Sequence, residues 1–600
     1  MKRTILFAII SACILSSCDI LDKKPLGYIS DSDVWSDPSL MDSYLAELYA
    51  QTPVFTNDAT STEWDKYSAI QVGMFYVNEL SDECTYNWGL QNRGDIIRYK
   101  GGNWTIRGGL LEYWELPYKT IRNINIFLDN IKMANASDEY IKTRAAEARF
   151  LRVFNYFAMV KRYGGVPLIT KVQELNDPKE ELYPKRNSEQ EIYDFILSEV
   201  DEIVKDLPEQ IESAELGRIS KYAAYALQSR AALYVGSIAR YGKVQLDGLL
   251  GIPENMADSY YQKSYEASKA IINSGMYTLY DKEADKTENF KNIFLVKDNP
   301  EVILARKYNG VSDGGIAWKY DFAQSPKPQA WNAGNKNAPY LEMLESFEKI
   351  DGTPGTIDRQ ELTSGLYSID ELWGNRDPRF HATFYTEGTP WKGGTITFYN
   401  GLIKENGEIQ SEGSYNGVLA QGDQSVDGRF GTGFGVMKYL DPDANNMEGI
   451  ENSKTDYLVF RYGEIFLNLA EAAFELGKPG EALDAVNTIR NRSGMPSKTN
   501  IDREAIRAER KVELAFEGHR YWDLRRWRQA ETVLTGGRSG IRYYLDYATR
   551  KYKVGIIENV EISFGDGGTL PLFRPHYYYF PITTTRTGAN PDLIENPGYN

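Results

Sequence analysis

The chain is predicted to be mostly α, with a helical scaffold that carries long insertions of loop and short strand. Three observations predict this. Apolar residues recur every three or four positions, as in Tyr118, Ile121, Ile124, Leu128 and Ile131, and in Ile192, Ile196, Val200 and Ile203. Near the C-terminus, two helical patterns flank a Gly-Lys-Pro turn. Between these blocks, residues 300–450 lose the period and are rich in Gly, Asn, Asp and Pro.

Taken in order, Lys2 and Arg3 precede an apolar run from Ile5 to Leu15 that is too short to span a bilayer, and small residues precede Cys18. Residues 1–17 therefore read as a secretory signal peptide and 18–600 as one domain. A buried helix runs from Ala145 to Tyr163 and is closed by Gly164-Gly165 and Pro167. Ser220 caps a helix through Ala223, Leu227, Ala231 and Tyr234, and another covers Tyr260 to Asn273. Strand-like pieces in the first insertion are Val302–Ala305 and Thr395–Tyr399. Helices then cover Glu464–Leu476 and Gly480–Arg492, and the spacing of Ala470, Gly477 and Ala482 resembles a tetratricopeptide helix pair. One helix is expected from Asp502 to Gln529, followed by a second irregular insertion over 531–575. The scaffold is thus expected over about 36–300 and 455–530, with insertions over about 300–450 and 531–575.

Charge and cysteine content narrow the function. The formal charge is −16, and the signal segment removes two cations. A nucleic-acid binder needs clustered positive surface, so the balance argues against that class. Leu15-Ser16-Ser17-Cys18 resembles the lipobox of bacterial lipoproteins, in which cleavage leaves the cysteine as a lipidated N-terminus; the alternative is an ordinary signal peptide with a chance cysteine. Each buried lipid methylene contributes about 0.8 kcal/mol, so a multi-chain anchor would hold permanently. With Cys13 removed and Cys18 modified, Cys84 has no disulfide partner and reads as a buried structural thiol.

The string Glu509-Arg510-Lys511-Val512-Glu513-Leu514-Ala515-Phe516-Glu517-Gly518-His519-Arg520-Tyr521, continuing through Trp522-Asp523-Leu524-Arg525-Arg526-Trp527, is similar to the signature of the SusD/RagB family. Further marks follow the family's order. They are Leu21-Asp22 and Pro25, Glu147 to Arg152, Tyr163 to Pro167, Arg376-Asp377-Pro378-Arg379, Arg461-Tyr462-Gly463-Glu464, Pro581-Ile582 and Asn596 to Tyr599. The resemblance implies a SusD-like fold whose loop insertions carry the ligand site.

Glu509, Glu513 and Glu517 lie four residues apart and share a face of the expected helix. Like charges in a row need partners, and Arg149, Arg376, Arg461 or Arg520 could supply them through bidentate bonds. The cluster reads as a buried ion-pair core between helices; a catalytic carboxylate site is the competing reading. Catalytic motifs are otherwise scarce. His381, His519 and His576 are far apart in sequence, and no H-E-x-x-H, G-x-S-x-G or P-loop occurs. Asp441, Asp443 and Asn445 are like the start of a calcium loop without its glycine or closing glutamate, so no cofactor is expected beyond a weak calcium candidate there.

Aromatic residues point to binding. Eleven Trp, 42 Tyr and 24 Phe make 13% of the chain, and several fall in polar loops where no helix stripe accounts for them. A sugar ring has a C–H face that an aromatic plane buries, while polar side chains satisfy its hydroxyl rim. The candidates are Tyr86, Asn87 and Trp88, then Tyr308, Trp318, Tyr320, Trp331 and Trp391, with Trp88 and Trp331 foremost. The resemblance implies an exterior-facing outer-membrane lipoprotein, without chemistry of its own, that captures oligosaccharide. It also implies delivery, as a lid, to a SusC-like TonB-dependent transporter. Peptide cargo, as in the RagB branch, is the first alternative. A non-binding helical scaffold and a surface glycosidase are the others.

Overall fold

The computed structural model describes residues 35–52, 77–86, 100–102, 111–310, 320–326, 335–423, 431–443, 453–563 and 569–599. Short polar residues cap several of its scaffold helices. In α1 (Pro38–Ala50) the Asp37 side chain accepts from the Ser39 N–H. α2 (Glu115–Asn130) buries Ile121, Ile124 and Phe127 along one stripe. α3 (Asp138–Tyr163) opens on Ser137, whose side chain accepts from the Tyr140 N–H, and stops at Gly164 with φ of 71°. α4 (Glu189–Ile203) starts with a capping box between Ser188 and Glu191. α5 (Lys221–Tyr241) is capped by Ser220 as expected, and α6 (Ala257–Asn273) follows. Each of α2 to α6 packs on the next.

After α6 the chain leaves this stack. α7 (Lys286–Leu295), the short α8 (Tyr320–Gln324) and α9 (Pro378–Thr383) belong to the insertion, with α7 packed on α9. The scaffold therefore gives way before residue 300, because Phe290, Ile293 and Phe294 of α7 lie in a second core under the insertion. The stack resumes with α10 (Tyr462–Glu475) packed on α6, and α11 (Pro479–Arg492) packed on α10. These two are the expected tetratricopeptide-like pair.

The single helix expected from Asp502 to Gln529 is two helices, α12 (Arg503–Glu513) and α13 (Arg520–Arg526). Between them Phe516 (φ 60°) and Gly518 (φ 80°) adopt the left-handed conformation, which no α-helix tolerates. Glu517 thus sits on a turn and not on the helix face carrying Glu509 and Glu513.

Strands occur mainly in the insertions. β1 (Cys84–Tyr86) pairs antiparallel with β3 (Asn337–Pro339), and β2 (Val302–Arg306) pairs with β10 (Tyr457–Arg461). β4 (Phe384–Tyr385) pairs with β9 (Gly435–Val436). The strand expected at Thr395–Tyr399 is shorter: β5 (Pro390–Trp391) and β6 (Gly394–Thr395) form a hairpin across Lys392 and Gly393. Both turn residues have positive φ, 47° and 78°, as a two-residue primed turn requires.

The second insertion is more regular than expected. It holds a hairpin of β11 (Gly540–Asp546) and β12 (Tyr552–Ile557), and β11 also runs parallel to β7 (Leu402–Ile403), which pairs with β8 (Ile409–Gln410). Alternate residues Ile541, Tyr543 and Leu545 are buried in the core of the first insertion, so the two insertions form one body. Among the described residues, no helix is long and apolar enough to cross a membrane.

Candidate functional site

The family-like string forms the joint between scaffold and insertion. Arg461, at the end of β10, donates from Nη1 to Glu301 Oε1 at 2.9 Å and to Glu513 Oε1 at 2.8 Å. Arg492, at the end of α11, reaches Glu301 Oε2 at 3.0 Å and also pairs with Glu513. Arg379 of α9 reaches Glu513 Oε2 at 3.0 Å and Glu509 Oε1 at 2.6 Å, while Arg490 holds Glu509 Oε2 at 2.9 Å. Lys438 joins Glu517 at 3.0 Å. All of these side chains are buried.

Burial alone would raise the Glu513 carboxyl, but Arg492, Arg461 and Arg379 overcome it and hold the group well below the usual carboxylate range. Both oxygens of Glu513 accept from guanidinium groups, so it is neither a proton donor nor an available nucleophile. The ion-pair reading of the glutamates holds, whereas three of the four expected arginines are engaged elsewhere. Arg149 pairs with Glu199 at 3.0 and 2.8 Å on the scaffold. Arg376 donates to the carbonyls of Phe347 and Gly355 at 3.1 and 2.5 Å. Arg520 forks onto Asp82 at 2.7 and 3.0 Å, with Lys511 at 3.0 Å from the same carboxylate. Only Arg461 is where the sequence put it. Arg379, Arg490 and Arg492 were missed; the Arg-Asp-Pro-Arg string and the arginines closing α11 were the available signals.

Asp82 belongs to Leu80-Ser81-Asp82-Glu83, the segment leading into β1. Burial and then the Arg520 and Lys511 charges act on it in opposite senses, and the cations win, holding it well below the carboxylate range. Glu83 differs: burial pushes it up to about 7, although the Phe516 N–H donates to it at 2.9 Å. These contacts tie the start of β1 to the turn between α12 and α13. Cys84 is buried, and burial pushes its thiol well up, consistent with a structural role.

β1 and β3 border in sequence the segments expected to bind. Tyr86 is the Cα partner of Asn337, with Thr85 opposite Ala338 and Cys84 opposite Pro339. The sequence segments bearing Trp88 and Trp331 therefore join the described structure at the same end of one ladder. Asn337 is held there by Asn337 Nδ2 donating to Glu79 at 3.0 Å and by the Gln324 side chain accepting its N–H at 3.1 Å. The side chain of Tyr86 and residues Asn87, Trp88, Trp318 and Trp331 lie outside the described residues, as do Cys18 and Asn445.

The remaining aromatic candidates divide. Tyr308 and Tyr320 are not binding faces: both are buried in the second core. The Tyr308 N–H donates to Asp456 at 2.9 Å and the Tyr320 hydroxyl donates to the Lys438 carbonyl at 2.7 Å. Their polar surroundings in sequence concealed this, because Asp456 and Lys438 come from distant segments. Trp391 is half-buried beside the turn of the β5–β6 hairpin, with the Lys392 ammonium 5.6 Å from its ring centroid. Burial lowers Lys392, and Asp321, Asp441 and Asp443 act against that, so the hairpin turn faces acidic surroundings.

Asp441 Oδ1 accepts the Asp443 N–H at 2.9 Å, Lys454 lies 3.6 Å from Oδ2, and the Asp441 N–H donates to Asp321 Oδ1 at 2.8 Å. Burial pushes Asp321 up to about 6. Among the described residues, no group of His, Cys, Asp and Glu side chains is arranged to hold a metal.

The described residues thus form a helical stack bearing two merged loop insertions, joined by a buried ion-pair lattice. The model of the SusD family matches residues 300–599, and one described as starch-binding associating with outer membrane matches residues 19–233; the chain belongs to the SusD family. A SusD-like protein, P38, of Formosa agariphila is 25% identical over 554 residues, spanning 88% of this chain and 91% of the relative. A SusD-like protein of Bacteroides fragilis superimposes with a TM-score of 0.72 at 28% identity, covering 96% of this chain and 100% of that one. A second B. fragilis structure, described as a SusD-like carbohydrate binding protein, gives 0.69 at 24% identity over 93% and 99%. A laminarin binding SusD-like protein gives 0.60 at 20% identity over 94% and 100%.

Proposed function

We propose that this protein is a surface lipoprotein, anchored in the outer membrane through Cys18, that binds oligosaccharide. It delivers its cargo as a lid to a SusC-like TonB-dependent transporter, and it does no chemistry on that cargo. The observation that supports this reading is the pairing of Tyr86 with Asn337, described residues that border in sequence the segments bearing Trp88 and Trp331. Two tryptophans there could cover successive C–H faces of a glycan, while Asn87 serves the hydroxyl rim. Trp391 and Lys392, on a short hairpin, are the described elements best suited to a third contact. The carbohydrate-binding and laminarin-binding descriptions of structural neighbours support the cargo class. The outer-membrane description of the N-terminal match supports the location.

The test is binding of the wild-type soluble domain to a panel of polysaccharides and peptides, with the products of prolonged incubation analysed. Glycan binding without cleavage is expected. Peptide binding alone would replace the cargo by oligopeptides, and glycan cleavage would make the protein an enzyme. Co-purification of a large outer-membrane barrel with the lipidated protein tests the lid role.

A further inference from the structure

A small cavity of roughly 20 Å³ lies between the end of α3, α5, α13 and the C-terminal segment. It has room for about one water-sized occupant. Lys161, Glu189, Trp522, Arg525, Arg528 and Tyr579 supply its polar lining. This wall is unusual in its balance of donors and charge.

Arg525 is buried, with 3% of its surface exposed. Its Nη2 donates to the Tyr578 carbonyl at 2.6 Å and its Nη1 to the Tyr577 carbonyl. Among the described residues, no carboxylate stands within ion-pair distance of it, and its Nε–H has no partner. Trp522, 2% exposed, likewise has an unpartnered indole N–H. Both groups are donors only, so whatever satisfies them must accept.

Positive charge accumulates at the same place. Arg528 donates to the Arg525 carbonyl at 3.0 Å and to the Tyr579 hydroxyl at 2.9 Å, neither of which neutralises it. Arg526 is compensated by Glu471 and Asp523. Glu189 is the carboxylate of the lining, and its Oε2 accepts from the Tyr579 hydroxyl and the Gly251 N–H, both at 2.7 Å. Arg525 and Arg528 thus outnumber it. A buried guanidinium without a counter-charge is costly, and a water would satisfy the donors but leave the charge.

We propose that this cavity is a binding site for one small inorganic anion, chloride in the cell's surroundings, held by Arg525 Nε and Trp522 Nε1. The anion ties the Tyr577–Tyr579 segment to α3 and α13. This is independent of the glycan reading, because the cavity is lined by scaffold residues remote in sequence from the β1–β3 loops.

Two measurements on the soluble full domain test it. Crystals grown in sodium bromide should give an anomalous peak within hydrogen-bonding distance of Arg525 Nε and Trp522 Nε1. Thermal unfolding in sodium chloride should occur at higher temperature than in sodium gluconate of equal ionic strength. That shift should grow with the logarithm of chloride concentration and vanish in Trp522→Phe. An ordered water without anomalous signal, bromide at other places only, or coincident melts of the wild type in the two salts would overturn the proposal.

Discussion

Arg461 and Glu517 form a buried fork: Nε donates to Oε2 at 2.7 Å and Nη2 to Oε1 at 2.8 Å. The first residue ends a strand at the edge of the insertion, and the second lies on the left-handed turn between α12 and α13. The same guanidinium also reaches Glu301 and Glu513, so one side chain joins insertion, scaffold and turn.

Removing either end of this lattice leaves buried charge without its partner. Glu513→Ala or Arg461→Ala should therefore destabilise the domain by about 3–5 kcal/mol. Arg520→Ala should act in the same direction through Asp82, with the remaining Lys511 softening the loss. Equilibrium denaturation measures all three, and unchanged midpoints would mean the lattice contributes nothing net.

Gly463 is needed for space. A Cβ there would lie 2.3 Å from Arg461 Nη1, 2.9 Å from Glu301 Oε1 and 3.0 Å from Glu513 Oε1. Gly463→Ala should cost about 1–3 kcal/mol by overpacking, although alanine favours helix. A stabilised variant in thermal melts would contradict that contact geometry.

Two kinds of buried carboxyl act on stability in opposite senses as pH rises. Glu513 and Asp82 ionise in the folded state well below their ordinary values of 4.5 and 3.8. Their contribution is complete above those values and lost as pH falls below them. Glu83 and Glu387 are both pushed up to about 7 by burial. In the folded state they keep protons that the unfolded chain has released, so their contribution declines from about pH 4.5 to 7. Glu387→Gln should remove part of that decline, so the melting temperature of the variant relative to the wild type should rise from pH 5 to 8. A difference that stays constant over that range would refute this.

The proposed lipid anchor is argued from Leu15-Ser16-Ser17-Cys18. Cys18→Ala should abolish lipid labelling and release the protein from the membrane fraction. Unchanged processing and retention would show that Cys18 is not the attachment point.

The scaffold helices were legible because apolar period and caps agree, as at Ser220 and through Ile121 and Ile124. The break after Glu513 was not, since the charged period continues across it; Gly518 was the local warning. Pairing partners are set by tertiary placement, so Arg149, Arg376 and Arg520 could not be assigned from spacing alone. The β11–β12 hairpin was missed, although the alternation of Ile541, Tyr543 and Leu545 was its signal. At the candidate site, sequence identified loops rich in aromatic residues but could not separate buried Tyr308 and Tyr320 from half-exposed Trp391. That distinction depends on what distant segments cover.

Trp88 and Trp331, in the segments that border the β1–β3 ladder in sequence, are expected to bind glycan by aromatic stacking. Calorimetry of the wild type, Trp88→Ala and Trp331→Ala against a glycan the wild type binds tests it most directly, with thermal melts in parallel. Each substitution should weaken binding by about 1–3 kcal/mol, the scale of burying a large apolar side chain, and leave the melting temperature nearly unchanged. Undiminished affinity in both variants, or affinity loss matched by stability loss, would contradict the account.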